Sequence, residues 1–414
     1  MKRYSAYKPS GIEWIGDIPE KWDVVRIKFL CDTMYPGATP NTSVASFWDG
    51  NIPWIPSGCC HDCDINDAPK KITKAGLENS STKIIPAATT LIALTGATCA
   101  QLGYLTIEAC ANQSVVAYVH NPHKAVAKYL FYALFAARQY ILTHQSGGAQ
   151  GGINLDDCKN FVIPRLPIDV QFSIAAYLDA KCAKIDNVLS VQQKRIELLK
   201  ELKQSIITNA VTKGLDKNVE FKPSGIEWIG DIPEKWKIKR MRFLCKMNTG
   251  DKDTVNREDD GLYPFYVRSP NVERINSYTF DGEAVLMAGD GVGAGKVIHY
   301  ANGKFDYHQR VYNFHEYKEI LTKYAYYYLV SNFRYKIEEG GAKNTVDSVR
   351  LPWLKDFPIC FPTIKEQEKI LSYIERKSTA IDNQISKIER QIELLKEYKQ
   401  SIITECVTGK RKVC

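Results

Sequence analysis

The stretch KPSGIEWIGDIPEKW at residues 8–22 recurs letter for letter at residues 222–236. A second block, IELLKELKQSIIT at residues 196–208, returns with one substitution as IELLKEYKQSIIT at residues 392–404. Such long identities do not arise by chance, so the chain consists of two tandem copies of one unit. The offset is 214 residues for the first block and 196 for the second, so the second copy is 18 residues shorter between them.

The composition is that of a globular chain with more than one domain. A chain of 414 residues is too long for one ordinary core, and 44% hydrophobic with 25% charged residues excludes wholesale disorder. Because no long apolar run occurs, we expect no membrane span, no secretory signal and a cytoplasmic location. The 12 cysteines are scattered, which favours reduced thiols. The net charge of +8 is compatible with nucleic-acid binding but does not require it.

The end of each copy predicts a long helix. Apolar residues at steps of three and four, separated by Lys, Glu, Gln and Arg, form a narrow seam of the coiled-coil type. The seam residues are Ile185, Leu189, Gln192, Ile196, Leu199 and Ile206 in the first copy and Ile381, Ile385, Ile388, Ile392, Leu395 and Ile402 in the second. Residues 171–212 and 367–408 lack proline and glycine, so each helix could reach roughly 60 Å. The alternative is a surface helix on its own domain.

The order of the repeats fixes how these helices meet. The first helix ends where the second copy begins, so paired seams must run antiparallel, with one globular region at each end. We therefore predict an α+β fold, in which two globular mixed α/β domains are separated by two long helices forming an antiparallel coiled coil with pseudo-two-fold symmetry. The predicted bounds are 1–165 for the first globular domain, 166–214 for the first helical spacer, 215–360 for the second globular domain and 361–414 for the second spacer.

The middles of the two copies differ in letters but share an order of elements. In the first copy we predict buried strands at 46–56, 90–94 and 115–119 and a helix at 125–143; in the second, strands at 284–287 and 310–314 and a helix at 320–337. Gly147-Gly148-Ala149 and Gly340-Gly341-Ala342 are expected to form flexible turns. Constant ends suit two identical partners, and divergent middles suit two different targets. Two unlike modules at a set separation are what a bipartite, asymmetric DNA site requires.

Several segments, taken in order, resemble the specificity subunits of type I restriction-modification systems. They are PSGIEWIGDIPEKW at 9–22, FWDGNIPWI at 47–55, LTGAT at 94–98 followed by Ala111-Asn112-Gln113, and IPRLPIDVQ at 163–171 and FPTIKEQ at 361–367 before the two helices. The resemblance covers essentially the whole chain and depends on the order of these segments. One departure is that the Glu366-Gln367 pair of the second copy stands as Val170-Gln171 in the first.

The resemblance implies that the globular regions are target-recognition domains, each reading one half of a split site in double-stranded DNA. It also implies that the helices dock two adenine-methyltransferase (modification) subunits, and that a restriction subunit, an endonuclease and translocase, joins through them. S-adenosylmethionine, ATP and magnesium are then expected on the partner subunits, with no cofactor and no catalytic residue in this chain.

The segment Gly289-Asp290-Gly291-Val292-Gly293-Ala294-Gly295-Lys296 does not match a nucleotide-binding motif. A P-loop would need glycine in place of Asp290 and Ser or Thr in place of Val297, and the dinucleotide fingerprint also fails. The segment is either a tight turn that brings Lys296 close to a DNA phosphate or a purely structural turn. Gly96-Ala97-Thr98 occupies the comparable place in the first copy.

Metal-binding and catalytic patterns are also lacking in the sequence. Cys59, Cys60, His61 and Cys63 have only Cys99 and Cys110 nearby to complete a zinc site, so we predict a loop with reduced thiols and no metal. The adenine-methyltransferase signature Asn/Asp-Pro-Pro-Tyr/Phe does not occur, which argues against a self-sufficient DNA methyltransferase, and no nuclease pattern is evident. A coiled-coil adaptor without DNA specificity is the other alternative.

Candidate DNA contacts are side chains that suit phosphates, guanine edges or adenine edges. They are Lys70, Lys71, Lys74, Lys83, Gln101, Asn112, Gln113 and Gln150 in the first copy and Arg268, Asn271, Arg274, Lys296, His308, Gln309, Arg310, Lys343 and Asn344 in the second. A solvated surface is the alternative for the charged ones. Asn112-Gln113 and His308-Gln309 hold matching places, so for them a shared structural role competes with base reading. Six of the eight net charges lie on the helices, so we expect modest, salt-sensitive DNA binding by this chain alone.

Overall fold

The computed structural model describes residues 3–145, 151–216, 218–339 and 348–413. They form two compact units, one made of Met1–Val191 with Arg390–Cys414 (unit 1) and the other of Gln192–Glu389 (unit 2). This division cuts both long helices, whereas the bounds predicted from the sequence do not, and those bounds stay a prediction. Gln150, Lys343, Asn344 and the two predicted glycine turns lie outside the described residues.

The first copy alternates short strands with a few helices. Its strands are β1 (Tyr7–Pro9), β2 (Asp17–Pro19), β3 (Asp23–Arg26), β4 (Cys31–Pro36), β5 (Trp48–Ile55), β6 (Cys63–Ile65), β7 (Lys70–Ile72), β8 (Thr89–Ala93), β9 (Leu102–Leu105), β10 (Cys110–Ala111), β11 (Val115–His120) and β12 (Val162–Arg165). Its helices are α1 (Lys74–Glu78), α2 (Ala127–Ala136), α3 (Arg138–Leu142), α4 (Leu155–Asn160) and α5 (Ile168–Lys213).

Unit 1 is built around a five-stranded sheet in the order β4-β11-β8-β9-β6, with a three-stranded sheet β10-β5-β7 beside it. Strand β8 is buried at every position, and β11 pairs antiparallel with both β4 and β8, as befits central strands. Helix α2 packs on this sheet, and its Tyr129 hydroxyl donates to the Pro164 carbonyl oxygen at 2.8 Å. The core also includes Tyr118, Phe161 and residues of both long helices.

Two local predictions for the first copy are wrong in part. The strand predicted at 46–56 begins only at Trp48, and only Trp54 and Ile55, at its end, are buried. The helix predicted at 125–143 breaks at Ala137, where ψ is −2°. Arg138 there donates to the Ala100 carbonyl oxygen at 3.1 Å and pairs with Asp62, which holds the shorter second helix in place. The strands predicted at 90–94 and 115–119 are confirmed.

The second copy repeats this order. Its strands are β13 (Phe221–Pro223), β14 (Asp231–Pro233), β15 (Lys237–Arg240), β16 (Lys246–Thr249), β17 (Tyr263–Tyr266), β18 (Glu273–Ile275), β19 (Phe280–Asp281), β20 (Ala284–Ala288), β21 (Ile298–Ala301), β22 (Lys304–Tyr307), β23 (Val311–His315) and β24 (Pro358–Phe361). Its helices are α6 (Thr322–Glu339), α7 (Leu351–Asp356) and α8 (Ile364–Val407). The predicted strands at 284–287 and 310–314 and the helix at 320–337 are confirmed within one or two residues.

Unit 2 has two four-stranded sheets, β16-β23-β20-β21 and β18-β17-β22-β19. Strand β20 is buried throughout and β23 lies next to it, so the pair occupies the place of β8 and β11 in the first copy. Helix α6 packs on β20 and β21. The core contains Tyr324, whose hydroxyl donates to the Val211 carbonyl oxygen of α5 at 2.9 Å.

The two long helices run antiparallel within each unit. In unit 1 the Lys399 ammonium binds Asp186 at 2.6 Å, and Arg411 contacts Tyr177 farther along. In unit 2 the Lys203 ammonium binds Asp382 at 2.8 Å. Lys203 and Lys399 are 196 residues apart, as are Asp186 and Asp382, so each unit carries the same ion pair. The predicted fold class, two mixed domains with an antiparallel helical pair, is confirmed.

The predicted seam is the inward side of these helices. Ile185, Ile196, Ile381, Ile385, Ile388 and Ile402 are buried, whereas Leu189, Gln192, Leu199, Ile206, Ile392 and Leu395 are half-buried. Most positions between them are exposed, as expected of a narrow apolar stripe. No helix among the described ranges is long and apolar enough to cross a lipid bilayer.

A buried glutamine fixes the first turn of each long helix. Gln171 accepts from the Val126 amide at 2.9 Å and donates to the Lys124 and Leu166 carbonyl oxygens. Gln367, 196 residues later, accepts from the Leu321 amide at 2.8 Å and donates to two carbonyl oxygens in the same way. The side-chain amide of the glutamine joins the long helix to the loop before α2 or α6. Both copies therefore require a glutamine at this position.

The departure from the family pattern at the preceding residue has a separate explanation. Glu366 accepts a hydrogen bond from Trp236 Nε1 at 3.1 Å, whereas Val170 packs on the core of unit 1. The residue before the glutamine therefore contacts different neighbours in the two copies.

Replacing the buried glutamine with leucine should strongly destabilise the chain. Gln367→Leu leaves one amide and two carbonyl groups without their partner, so we expect the free energy of unfolding to fall by about 3 kcal/mol. The measurement is urea unfolding followed by circular dichroism. Gln192→Leu is the matched control, since the Oε1 atom of Gln192 is buried with no hydrogen-bond partner among the described residues. It should leave stability unchanged or raise it; equal losses in both variants would contradict this account.

Candidate nucleic-acid interface

Each unit has a loop of the same backbone form after its central buried strand. The loop at 95–101 follows β8, and the loop at 290–296 follows β20; we call them the glycine loops. The Cys99 amide donates to the Gly96 carbonyl oxygen at 3.0 Å, and the Ala294 amide donates to the Gly291 carbonyl oxygen at 2.9 Å. Gly96 has a φ of 67° and Gly291 a φ of 73°, so both use the left-handed turn that glycine permits. The expectation that Gly96-Ala97-Thr98 matches the glycine-rich segment of the second copy is confirmed.

A polar turn lies against each glycine loop. The turns comprise 112–114 before β11 and 308–310 before β23. The Leu94 amide donates to the Ser114 carbonyl oxygen at 2.8 Å, and the Gly289 amide donates to that of Arg310 at 2.7 Å. Each turn is also tied to the end of another strand, β5 in unit 1 and β17 in unit 2. The Asn112 amide donates to the Ile55 carbonyl oxygen and the His308 amide to the Tyr266 carbonyl oxygen, both at 3.0 Å. The glycine loop, the polar turn and the end of β5 or β17 thus meet in each unit, and we call the result the three-loop surface.

Within the polar turns, the matched amide positions serve the fold. Gln113 pairs with the Thr39 hydroxyl, and Gln309 donates to Asp253 at 2.7 Å. His308 is only 2% exposed, and its Nδ1 accepts from the Arg310 amide at 2.9 Å. Burial lowers the pKa of His308, with Arg268 adding to the effect, which favours the neutral imidazole. The structure therefore places His308 inside the turn and gives it no exposed edge.

The matched frame carries different side chains in the two copies. By backbone position Ser57, Thr95 and Ser114 of unit 1 correspond to Arg268, Asp290 and Arg310 of unit 2, and Gln101 corresponds to Lys296. Three hydroxyl residues thus stand where the second copy has two arginines and an aspartate. The two units thus share a backbone frame but present different side chains on it. Such a pair of surfaces suits two ligands that are of the same chemical class but differ in detail.

The charged residues of unit 2 form a cluster around one carboxylate. Arg268 Nη1 donates to Asp290 Oδ1 at 3.1 Å, and Arg310 Nε lies 3.7 Å from Asp290 Oδ2. The arginine side chains are 44% and 65% exposed, whereas that of Asp290 is 25% exposed. Gly293 packs so closely that a Cβ there would lie 2.6 Å from the Arg268 carbonyl oxygen. The carboxylate is thus set behind two guanidinium groups that face solvent.

The remaining predicted residues are scattered. Lys70 lies 5.8 Å from the Trp48 ring, and Lys83 lies 5.4 Å from the Tyr35 ring. Lys71 and Asn271 are exposed, and Lys74 pairs with Glu78 at 3.6 Å. Arg274 donates to the Gly261 carbonyl oxygen at 2.9 Å, which directs its guanidinium toward its own backbone.

Sequence reasoning missed Asp290, Ser57, Thr95 and Ser114 as members of this surface. An acidic residue inside a glycine-rich segment was the available signal for Asp290. No sequence pattern marks Ser57, Thr95 or Ser114 as part of a binding surface.

The cysteine cluster contains free thiols at Cys59, Cys60 and Cys63. In the described part of the chain, no group of three His, Cys, Asp or Glu side chains is placed to hold a metal ion. His61 Nδ1 lies 3.2 Å from Gln101 Oε1, and Cys60 is fully buried. Burial raises the pKa of the Cys59 and Cys60 thiols, which keeps them protonated.

Comparisons with known proteins agree with this architecture. The specificity subunit of the type I restriction enzyme EcoDI from Escherichia coli is 31% identical over 180 residues, which are 44% of this chain and 39% of that protein. The MjaVIII specificity subunit from Methanocaldococcus jannaschii is 23% identical over 420 residues, covering 96% of this chain and 94% of that protein. A chain solved in a study of complex assembly and conformational transition of the type I R-M system aligns with a TM-score of 0.71 at 16% identity, over 94% of this chain and 98% of its own, and so shares the fold.

The family model described as the type I restriction modification DNA specificity domain matches residues 19–206 and 233–394. These ranges follow the two copies and cover well over half of the chain. The protein therefore belongs to the type I restriction-modification specificity family and carries two specificity domains.

Proposed function

We propose that this chain is the DNA sequence-recognition subunit of a type I restriction-modification complex. Each domain reads one half of a bipartite, asymmetric DNA site. The observation that carries the proposal is the pair of three-loop surfaces, which share a backbone frame and differ in the exposed side chains. Two identical half-sites would need identical side chains, so unlike groups on a common frame support two different half-sites.

The exposed candidates named from the sequence are the proposed DNA contacts. Lysines such as Lys71 and Lys296 suit phosphates, which position a protein on the duplex. Arg268, Arg310 and Gln101 suit base edges. His308 is left out, because its imidazole is buried.

Two modification subunits are proposed to dock on the repeated blocks and the helices. In unit 1 the Tyr7 hydroxyl of β1 donates to the Gly409 carbonyl oxygen at 2.9 Å, just after α8. In unit 2 a Cβ on Gly214, just after α5, would lie 3.2 Å from the Trp236 ring. Each unit thus combines a hairpin from one copy with a helix end from the other, and the same composite surface occurs once per unit.

An exposed phenylalanine follows the repeated block in both copies. Phe29 is 57% and Phe243 is 65% exposed, and they are 214 residues apart, the offset of the repeated hairpin block. Large exposed aromatic side chains are typical of protein interfaces. Matching ones suit two copies of one partner.

The chemistry is proposed to reside on the partners. The modification subunits would use S-adenosylmethionine to methylate adenine, and the restriction subunit would use ATP and magnesium to translocate and cleave DNA. This chain would supply recognition and assembly without a catalytic group of its own.

The test is methylation-aware genome sequencing of a host with and without this gene. We expect a bipartite adenine-methylated site, two short unlike sequences separated by a fixed gap, to lose its methylation when the gene is removed. The purified chain alone should neither methylate nor cleave DNA. Unchanged methylation in the deletion strain, or methylation by the chain alone, would contradict the proposal.

A further inference from the structure

The two arginines of unit 2 differ from ordinary phosphate-binding residues because they share a carboxylate. Arg268 and Arg310 come from the end of β17 and the start of β23, and Asp290 lies on the glycine loop between them in space. A carboxylate on a surface that served only to bind phosphates would weaken binding, since it repels them. Its position between the two guanidinium groups therefore indicates that orientation matters here more than net charge.

The contacts leave a usable edge on each arginine. Arg310 approaches Asp290 through Nε at 3.7 Å, among the described residues its side chain makes no other ion pair, and it is 65% exposed. Arg268 uses Nη1 for Asp290. A guanidinium that is fixed on one side and exposed on the other has the geometry for two parallel hydrogen bonds to O6 and N7 of guanine.

We propose that Arg268 and Arg310 read guanine in the half-site of the second domain, and that Asp290 is the positioning residue that orients both guanidinium groups. This inference rests on the proposed function. The first domain has Ser57, Thr95 and Ser114 at these places, so its half-site is read by uncharged groups, and its base preferences do not depend on an arginine here.

The experiment uses the complete complex of this chain with its modification subunits. DNA duplexes randomised in both half-sites are bound and sequenced at several salt concentrations, for the wild type and for Arg268→Ala, Arg310→Ala, Arg310→Gln and Asp290→Asn. Lys296→Ala is the matched control, because Lys296 is an exposed cation on the same glycine loop. The preferences at the first half-site report in every variant whether the complex is intact.

We expect each arginine variant to lose roughly 5- to 150-fold of preference for guanine at one position, the range for one bidentate contact. That position lies in the second half-site, and the first half-site stays unchanged. Asp290→Asn should lower the same preferences although it removes a negative charge. Lys296→Ala should weaken binding to all sequences and reduce the salt dependence.

The outcomes separate this inference from the proposed function. A wild-type complex without sequence preference in either half would refute the proposed function. Clear preferences that lack guanine in the second half-site, or that survive the arginine substitutions, would overturn guanine reading alone. If Asp290→Asn tightened binding to every sequence and kept the preferences, the positioning role would be wrong.

Discussion

A chain in which residues 34–154 are replaced by the corresponding segment of a relative should recognise a site with one half changed and the other half kept. The exchanged segment contains the glycine loop, the polar turn and the end of β5, which together form the three-loop surface of unit 1. Unit 2, which contains the second surface, receives no substitution. The gap between the half-sites should also stay the same, because α5 and α8 are retained.

The exchange has structural conditions that the contacts define. Met34 lies within β4 opposite Tyr118, so the incoming segment must pair with the retained first half of that strand. Asn154 forms a capping box with Asp157 at the start of α4, which makes it a suitable junction. Helix α2 must keep its contact with α5, where the Tyr132 hydroxyl donates to Asp179 at 2.7 Å.

The matched control is exchange of residues 247–350, the corresponding segment of the second copy, which should change the other half of the site. Both chimaeras are read out by methylation-aware sequencing. Change in both halves from either exchange, or in neither from a complex that still methylates, would show that the domains do not read independently.

Inserting seven residues into both long helices should widen the gap between the half-sites by about three base pairs. One heptad lengthens a helix by about 10.5 Å, which is roughly three steps of 3.4 Å along DNA. A heptad also keeps the apolar seam on one side of each helix. Insertions between Val191 and Gln192 and between Glu389 and Arg390 fall at the boundaries of the units, so the pairs Asp186–Lys399 and Lys203–Asp382 are retained.

Two controls accompany the double insertion. A heptad in α5 alone should abolish methylation, because the two helices would then differ in length and could not keep both ion pairs. Two residues in both helices should also impair it, since at about 100° per residue the seam beyond the insertion would be rotated to roughly the opposite side of each helix. Methylome sequencing gives the gap directly. A double insertion that methylates with the original gap would rule out the helices as the spacer.

The architecture could be predicted because repetition and periodicity are local properties of the letters. The identity of residues 8–22 and 222–236 shows the duplication, and the steps from Ile185 to Ile206 show a helix too long for a single small core. Antiparallel pairing then follows from the order of the copies along the chain. The matched ion pairs Asp186–Lys399 and Lys203–Asp382 agree with it.

The candidate site could be predicted only in part. Its residue types are visible in the sequence, and the correspondence of Asn112-Gln113 with His308-Gln309 could be read from their matching places. The burial of a side chain could not be predicted in this way. His308 has the residue type of a DNA ligand, but its imidazole is buried within its own turn. Arg274 likewise binds the backbone near it.

The sequence by itself thus determined that the chain is a duplicated unit with helical ends and divergent middles. Only the tertiary structure decided which side chains of the middles share a surface. Arg268, Asp290 and Arg310 are about twenty residues apart in succession and lie on three different strand ends. They meet because β20 and β23 pair in one sheet, and the His308 amide before β23 donates to the Tyr266 carbonyl oxygen at the end of β17. Such register depends on contacts between distant segments, and no local pattern of residues encodes it.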